Sequence, residues 1–336
     1  MSKPAHLEPS KLGTKEYWDA LYTTELANHE HDPSDTGTVW FDDSDAEAKL
    51  LAFLEDPGRR RELGLDTEMT SFLDLGTGNG ALLFGLRDAG WNGPMLGVDY
   101  SPQSVLFARR IERLRRRKEA ASRGDDVEGG EEEADQVRNE TDDKVAEGAG
   151  EARKVGDNEE EAEEEEEEID IHFAEHDILH GPASALLGAG FSPAVASRGG
   201  WDVVLDKGTF DAVSLSAETL DATANTANTN TSGPRRINEA YGSRVLALVR
   251  EGGLFLITSC NWTETELRSW FEKGAVRESP SPASASATNE EEEQEVAHWG
   301  FEVVGRVEYR SFSFGGVKGQ TISSLCFRKV RKTGHR

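Results

Sequence analysis

The chain has 336 residues, 64 Asp and Glu against 37 Lys and Arg, a formal net charge of −27, and two cysteines, Cys260 and Cys326. Length alone admits two domains at about 150 residues each. However, residues 119–168 hold 23 acids and 5 bases, so 18 of the net negative charges lie in one polar stretch and a mildly acidic protein of net −9 remains. Neither cysteine has a Cys or His at metal-ligand spacing and no run approaches ~18 apolar residues, which argues against a zinc site, a disulfide scaffold and a helical membrane span.

Residues 1–13 read as a flexible tail without the apolar core of a secretory leader, so a soluble cytoplasmic or nuclear protein with reduced thiols is expected. Residues 15–27, KEYWDALYTTELA, space Tyr17, Leu21 and Leu26 with Trp18 and Tyr22 as a short amphipathic helix does. Such a helix either packs its aromatics on the core or covers a ligand. Val39, Trp40 and Phe41 stand alone in the polar stretch 29–45, as an anchor or a lid over a cofactor. Residues 46–54 predict a helix with Leu50, Leu51 and Leu54 inward.

Residues 71–100, SFLDLGTGNGALLFGLRDAGWNGPMLGVDY, organise the rest. A short apolar strand (Phe72, Leu73, Leu75) runs into a glycine turn (Gly76, Gly78, Gly80), an apolar-striped helix and a second strand ending at Asp99. The order is that of half a nucleotide-binding βαβ unit. Glycines let the backbone bend and approach a ligand, and the following helix aims its unpaired N–H groups at it. Asp99 follows Gly80 by 19 residues, where such folds place a carboxylate on ribose hydroxyls.

Ser101-Pro102 predicts the start of a further helix, which ends in RRIERLRRRK (109–118), seven bases in ten residues. Nucleic-acid binding or nuclear targeting is one reading; a solvated helix end balanced by the following acids is the favoured one. The acidic segment 119–168 has almost no large apolar residue and cannot offset its ordering entropy, which predicts a disordered insertion. Its length costs little, since loop closure rises only ~0.6 kcal/mol per doubling.

IDIHFAEHD (169–177) predicts a third strand and WDVVLD (201–206) a fourth, continued by KGTFDAVSLS. A polar link (219–232) leads to a helix over about 234–250, stopped by Gly252-Gly253, and LFLITS makes a fifth strand. Thr263 and Glu266 form a capping-box pattern. A Ser-, Pro- and Glu-rich low-complexity insertion occupies 278–295. FEVVGRVEY (301–309) and QTISSLCFRK (320–329) then predict an antiparallel hairpin, with a short tail at 331–336. The sum is one α/β domain over 14–330: a Rossmann-like, seven-stranded, mostly parallel sheet with helices on both faces and a C-terminal antiparallel hairpin.

DLGTGNG, the acid at Asp99, LDKGTFDA and ITSCNWT, together with KEYWDALY and SFSFGG, resemble the seven-β-strand S-adenosylmethionine methyltransferases. More narrowly, they resemble the lysine methyltransferases of translation elongation factor 1-alpha. The resemblance runs from about residue 12 to 328 outside the two insertions. It implies that Asp74, Gly76, Thr77, Gly78, Asn79 and Gly80 shape the pocket for the methionine half of S-adenosylmethionine, that Asp99 binds the ribose, and that Tyr100 lies beside the adenine. Asp177 is expected to approach the adenine amine and Trp40 to wall the pocket.

Asp206, at the end of the fourth strand over the cofactor, is expected to accept a hydrogen bond from the substrate amine, with Asp211 a weaker candidate. Phe210 and Trp262 are expected to hold the cation by cation–π contact, and Lys207 and Asn261 to bind substrate. A sulfonium methyl is already activated, so alignment of a neutral amine is the main task. With a lysine pKa near 10.4, about one side chain in 2,500 is neutral at pH 7, costing roughly 4.6 kcal/mol, and a desolvated cleft lowers that cost. The resemblance implies elongation factor 1-alpha as partner to a monomeric enzyme, with neither nucleic acid nor membrane bound directly. The runner-up is methyl transfer to another protein or a small molecule.

Two other classes are weighed. A short-chain dehydrogenase needs Tyr-x-x-x-Lys, and none of the five tyrosines has lysine four residues later. In a non-catalytic module, the acidic insertion would be the functional part.

Overall fold

Helix α1 (Lys15–His31) covers the predicted 15–27 and adds a turn ending in His29 and His31, side chains suited to a helix C-terminus. Helix α2 (Ala46–Glu55) is as read. Helix α3 (Pro57–Leu63) is not anticipated by apolar periodicity; its signal is punctuation. Asp56 accepts from the Arg59 N–H, Pro57 opens the first turn and Gly64 closes the last. A computed structural model describes residues 4–123, 171–188, 190–220, 235–272, 276–277, 298–314 and 317–332.

Strand β1 (Phe72–Leu75), helix α4 (Ala81–Asp88) and strand β2 (Met95–Asp99) make the expected βαβ half. Helix α5 (Pro102–Arg123) extends five residues into the stretch read as disordered, because Glu119, Ala120 and Ala121 are good helix formers. The rest of that insertion, 124–168, lies outside the described residues, as does 278–295. Then come β3 (His172–Glu175), α6 (Pro193–Arg198), β4 (Trp201–Lys207), α7 (Thr209–Ser214), α8 (Asn238–Leu248), β5 (Val249–Ser259), α9 (Glu264–Phe271), the two-residue β6 (Val276–Arg277), β7 (His298–Val307), β8 (Ser311–Phe314), β9 (Val317–Gln320) and β10 (Ser323–Lys332).

Helix α8 starts at Asn238 rather than near 234, because Arg236 pairs instead with Thr219 in an isolated β-bridge. Gly252-Gly253 does not stop that helix. It lies inside β5, where the pairing with β4 slips from Trp201↔Val249 to Val203↔Leu254, an irregularity of the kind glycines permit in strands. The capping box at Thr263 and Glu266 is present.

The main sheet has the order β3-β2-β1-β4-β5-β10-β7-β6. Strands β3, β2, β1, β4 and β5 are mutually parallel, and β10 runs antiparallel between β5 and β7. The predicted terminal hairpin is therefore real in pairing, but its second strand wedges inward. Strands β8 and β9, between β7 and β10 in the chain, pair antiparallel as a separate two-stranded ribbon.

By its contacts the chain divides into a main unit, Met1–Leu114 with Asp170–Arg336, and a second unit, Arg115–Ile169. The second is described only over 115–123.

Both faces of the main sheet are buried, so the central strands are near-continuous apolar runs. Alternation sends Phe72, Val203 and Leu205 to the face covered by residues of α1, α2, α4 and α5. Leu73, Leu75 and Val204 go to the face covered by Tyr241, Val245 and Leu267. The C-terminal ends of the parallel strands meet along one edge, where ligands bind in such folds.

Candidate active site

Gly76 and Gly78 hold the turn after β1 in the left-handed region, with φ of 65° and 59°. A Cβ on Gly78 would sit 2.7 Å from the Tyr22 hydroxyl, and one on Gly76 would sit 2.1 Å from the Thr209 hydroxyl, so only glycine fits. Asp99 ties the turn to β2 by accepting from the Gly78 N–H at 3.2 Å and the Ser101 N–H at 2.9 Å. Burial holds its carboxyl above the usual carboxylate range. Asn79 donates to the Thr36 carbonyl at 2.7 Å and accepts from the Ala81 N–H, linking the turn to the loop after α1.

Above this edge lies a cavity of about 340 Å³. Gly76, Asp99 and Tyr100 form its floor, and His176, Asp177, Ile178, Leu179 and His180 line one side. Lys207, Gly208, Thr209 and Asp211 line another, with Cys260 and Asn261, and Trp40 and Phe41 also face in. Asp74, Thr77, Gly78, Asn79 and Gly80 stand behind the floor rather than in it. Asp177 accepts from the Leu179 N–H at 2.8 Å and contacts His180 Nδ1 at 2.8 Å, while His180 Nε2 meets Glu218 at 2.7 Å. Those partners hold Asp177 below its ordinary range against a desolvation that pushes it up, and raise His180.

The segment read as a flexible tail closes the cavity. The Ser10 N–H donates to the Leu215 carbonyl at 3.0 Å, Arg236 donates to the carbonyls of Leu7 and Ser216, and Leu12 and Gly13 line the wall with Lys15, Trp18 and Tyr22. Trp18 donates to the Leu12 carbonyl at 2.8 Å and lies 5.3 Å from Trp40, centroid to centroid. Of the two roles open for α1 in the sequence, it fills both: Tyr22 and Leu26 join the core, and Trp18 and Tyr22 wall the cavity.

Three predicted catalytic or substrate groups do not reach it. Asp206 is 1 % exposed, and its carboxylate accepts from the Thr209 and Phe210 N–H groups and, at 2.6 Å, from the Tyr241 hydroxyl. It caps α7 and points to the α8 face. Phe210 is buried among Tyr241, Trp262 and Phe271, with centroids 5.3, 6.1 and 5.0 Å away. Trp262 is buried too and donates to Ser214 at 3.2 Å. The correction has a simple cause: alternation along β4 sends Asp206 and Lys207 to opposite faces.

Asp211 does reach the cavity, and its carboxylate fixes the loop after β5, accepting from the Ser259 hydroxyl and from the Cys260 N–H at 2.8 Å. Partial burial and the Asp211 carboxylate push the Cys260 thiol up to about 12, so the thiol stays protonated. Both cysteines are free.

Residues 66–136 match the family model described as a methyltransferase domain. Over 329 residues, covering 98% of this chain and 99% of the relative, the sequence is 32% identical to protein-lysine N-methyltransferase EFM4 of Saccharomyces cerevisiae. The chain belongs to the EFM4 family of protein-lysine N-methyltransferases. The Schizosaccharomyces pombe efm4 is 30% identical, with 96% of this chain and 95% of that one covered. EEF1A lysine methyltransferase 2 of Homo sapiens is 26% identical over 322 residues, with 96% and 88% covered.

S-adenosylmethionine is the cofactor of this family member, and the residues fit it. The glycine cradle admits no Cβ, a carboxylate ends β2 at the floor, and an apolar wall at Tyr100, Ile178 and Leu179 suits a flat base.

Proposed function

We propose that this protein transfers a methyl group from S-adenosylmethionine to a lysine side chain of translation elongation factor 1-alpha. The observation that carries the reading is the likeness to EFM4 across 98% of the chain, which extends far beyond the cofactor turn, together with relatives named for EEF1A lysine methylation.

Bound S-adenosylmethionine supplies an activated sulfonium methyl. The protein has to bring a neutral amine in line with it and reduce the roughly 4.6 kcal/mol that deprotonation costs at pH 7. In this reading the amine enters between the Trp40 and Phe41 rings and the loop held by Asp211. The rings exclude water and face the methylated cation, taking the role first read for Phe210 and Trp262. Asn261 is the polar side chain offered to the amine, and Asp211 keeps it in place through Ser259 and Cys260. Asp99 orients the ribose, Tyr100 and Leu179 hold the adenine, and Asp177 shapes the turn beside it.

The protein acts in the cytoplasm and as a monomer on this account. Two unpaired thiols support the first. For the second, Met69, Leu106 and Val304 are the exposed large apolar side chains among the described residues, few for an obligate interface. The basic end of α5 fits a solvated surface: Arg109 donates to the Phe173 carbonyl at 2.6 Å and Arg110 pairs with Glu30.

Titration with S-adenosylmethionine and with NAD, followed by incubation of the enzyme with labelled cofactor and purified elongation factor 1-alpha, tests the reading. Binding of the first ligand alone and label on a lysine support it. A factor left unlabelled beside a strongly labelled second protein would overturn the substrate and keep the reaction.

A further inference from the structure

Lys207, read from the sequence as a substrate contact, sits in a charged cluster that suits a different ligand. On β1 and β4, Asp74 pairs in register with Leu205, so Lys207, two residues on, projects from the same sheet face as Asp74. That face carries Phe72, Val203 and Leu205. The Lys207 ammonium lies 3.2 Å from Glu47 on α2 and donates to the Trp40 carbonyl at 3.2 Å. Its side chain is 13% exposed, that of Glu47 22%, and Asp74 is 3% exposed. The result is an acid–base–acid row whose lysine lines the cavity beside Gly76, across β1 from the β2 end that carries Tyr100. An ammonium has three donors, and the two acceptors named leave one.

The geometry points to Lys207 as the group that binds the α-carboxylate of the cofactor's amino-acid end, with the Asp74 and Glu47 carboxylates behind the wall offsetting the charge of its α-ammonium. This rests on S-adenosylmethionine being the cofactor. A zwitterion is the complement of such a row: its carboxylate adds an acceptor to the spare N–H, and its ammonium lies in the field of two acids that otherwise share one cation. An incoming lysine side chain carries no carboxylate to accept from the spare N–H. The row therefore reads the cofactor rather than the substrate. Burial lifts the Asp74 carboxyl to about 7, while the Thr77 hydroxyl and the Lys207 ammonium draw it down.

Two ligands separate the ends of the pocket. S-adenosylhomocysteine carries the amino-acid group, and 5′-methylthioadenosine shares the adenosine and thioether but lacks it. Isothermal titration of the full chain with each should show that Lys207→Met weakens S-adenosylhomocysteine by at least about tenfold and leaves 5′-methylthioadenosine within about twofold. Lys207→Arg should retain most of the first affinity. Unchanged 5′-methylthioadenosine binding also shows that the variant has folded. Equal loss of both ligands, or loss of neither, would overturn the inference, as would intact S-adenosylhomocysteine binding with a raised KM for the protein substrate. A wild-type chain that binds neither ligand would remove the cofactor reading itself.

Discussion

Tyr241 donates its hydroxyl to Asp206 at 2.6 Å across the interface between α8 and β4, in a site where Asp206 is 1 % exposed. Burial raises that carboxyl to about 7, against the pull of the Tyr241 hydroxyl and the α7 N–H groups. Asp206 is thus a structural carboxylate. Tyr241→Phe should cost about 1–3 kcal/mol of stability. The sign with pH follows from the raised value. Losing the donor raises Asp206 further, so the variant's deficit grows as pH climbs through about 7 and the carboxylate form must be buried. Urea unfolding at pH 5 and pH 8 checks this. A deficit larger at pH 5 would contradict it.

Gly78→Ala should weaken cofactor binding and cost about 1–2 kcal/mol for the left-handed backbone alone, because the new methyl meets the Tyr22 hydroxyl. In a Tyr22→Phe background the collision is relieved. The double variant should recover part of the loss, measurable as a coupling term in a double-mutant cycle. Strict additivity would show that the two side chains do not meet.

Asp202 is 4% exposed at the other end of β4, where it accepts from the Ser71 N–H and hydroxyl and pairs with Arg198 and Arg250. Those partners hold it below the ordinary carboxylate range despite burial. A depressed carboxylate stabilises the fold above its unfolded value near 4 and loses that contribution as pH falls through its lower folded value. Asp202→Asn should cost about 3 kcal/mol at pH 7 and much less at pH 3, by urea midpoints. An equal cost at both would mean that packing rather than charge is at stake.

His180 bridges Asp177 and Glu218 at the adenine side of the cavity, and both partners raise it. A raised imidazole makes its contribution in full below the ordinary value and loses it as pH rises through the higher folded value. The unfolding free energy that His180 contributes should accordingly shrink between pH 6 and pH 9, so that His180→Ala costs less at pH 9 than at pH 6 by urea midpoints. Parallel profiles would assign the dependence to another group.

The glycine turn, Asp99, the parallel strands and the capping box at Thr263 were legible because each is local: backbone constraint, alternation and caps are written within a few residues. The direction of Asp206 was not. Alternation does separate it from Lys207, but choosing which face opens to ligand requires knowing that Tyr241, more than thirty residues later, covers one of them. Phe210 and Trp262 misled for the same reason, since an aromatic next to a motif has no sequence mark that tells a cluster with Phe271 from a cavity wall. The segment 7–13 lacks apolar periodicity and is held largely through backbone carbonyls, which any residue offers. Lys207 came through as a residue at the site, but its partner Glu47 lies on a helix 160 positions earlier, and that pairing changes what it suits.

The central claim is that this EFM4-family chain methylates elongation factor 1-alpha, and the most direct measurement gives the enzyme a choice. Labelled S-adenosylmethionine is added to a whole-cell protein extract with the purified chain, and labelled proteins are identified by mass spectrometry. The account predicts label concentrated on one lysine-containing peptide of elongation factor 1-alpha, absent when Asp99→Ala replaces the wild type. Strong, Asp99-dependent label on a different protein, with elongation factor 1-alpha unmodified, would contradict it.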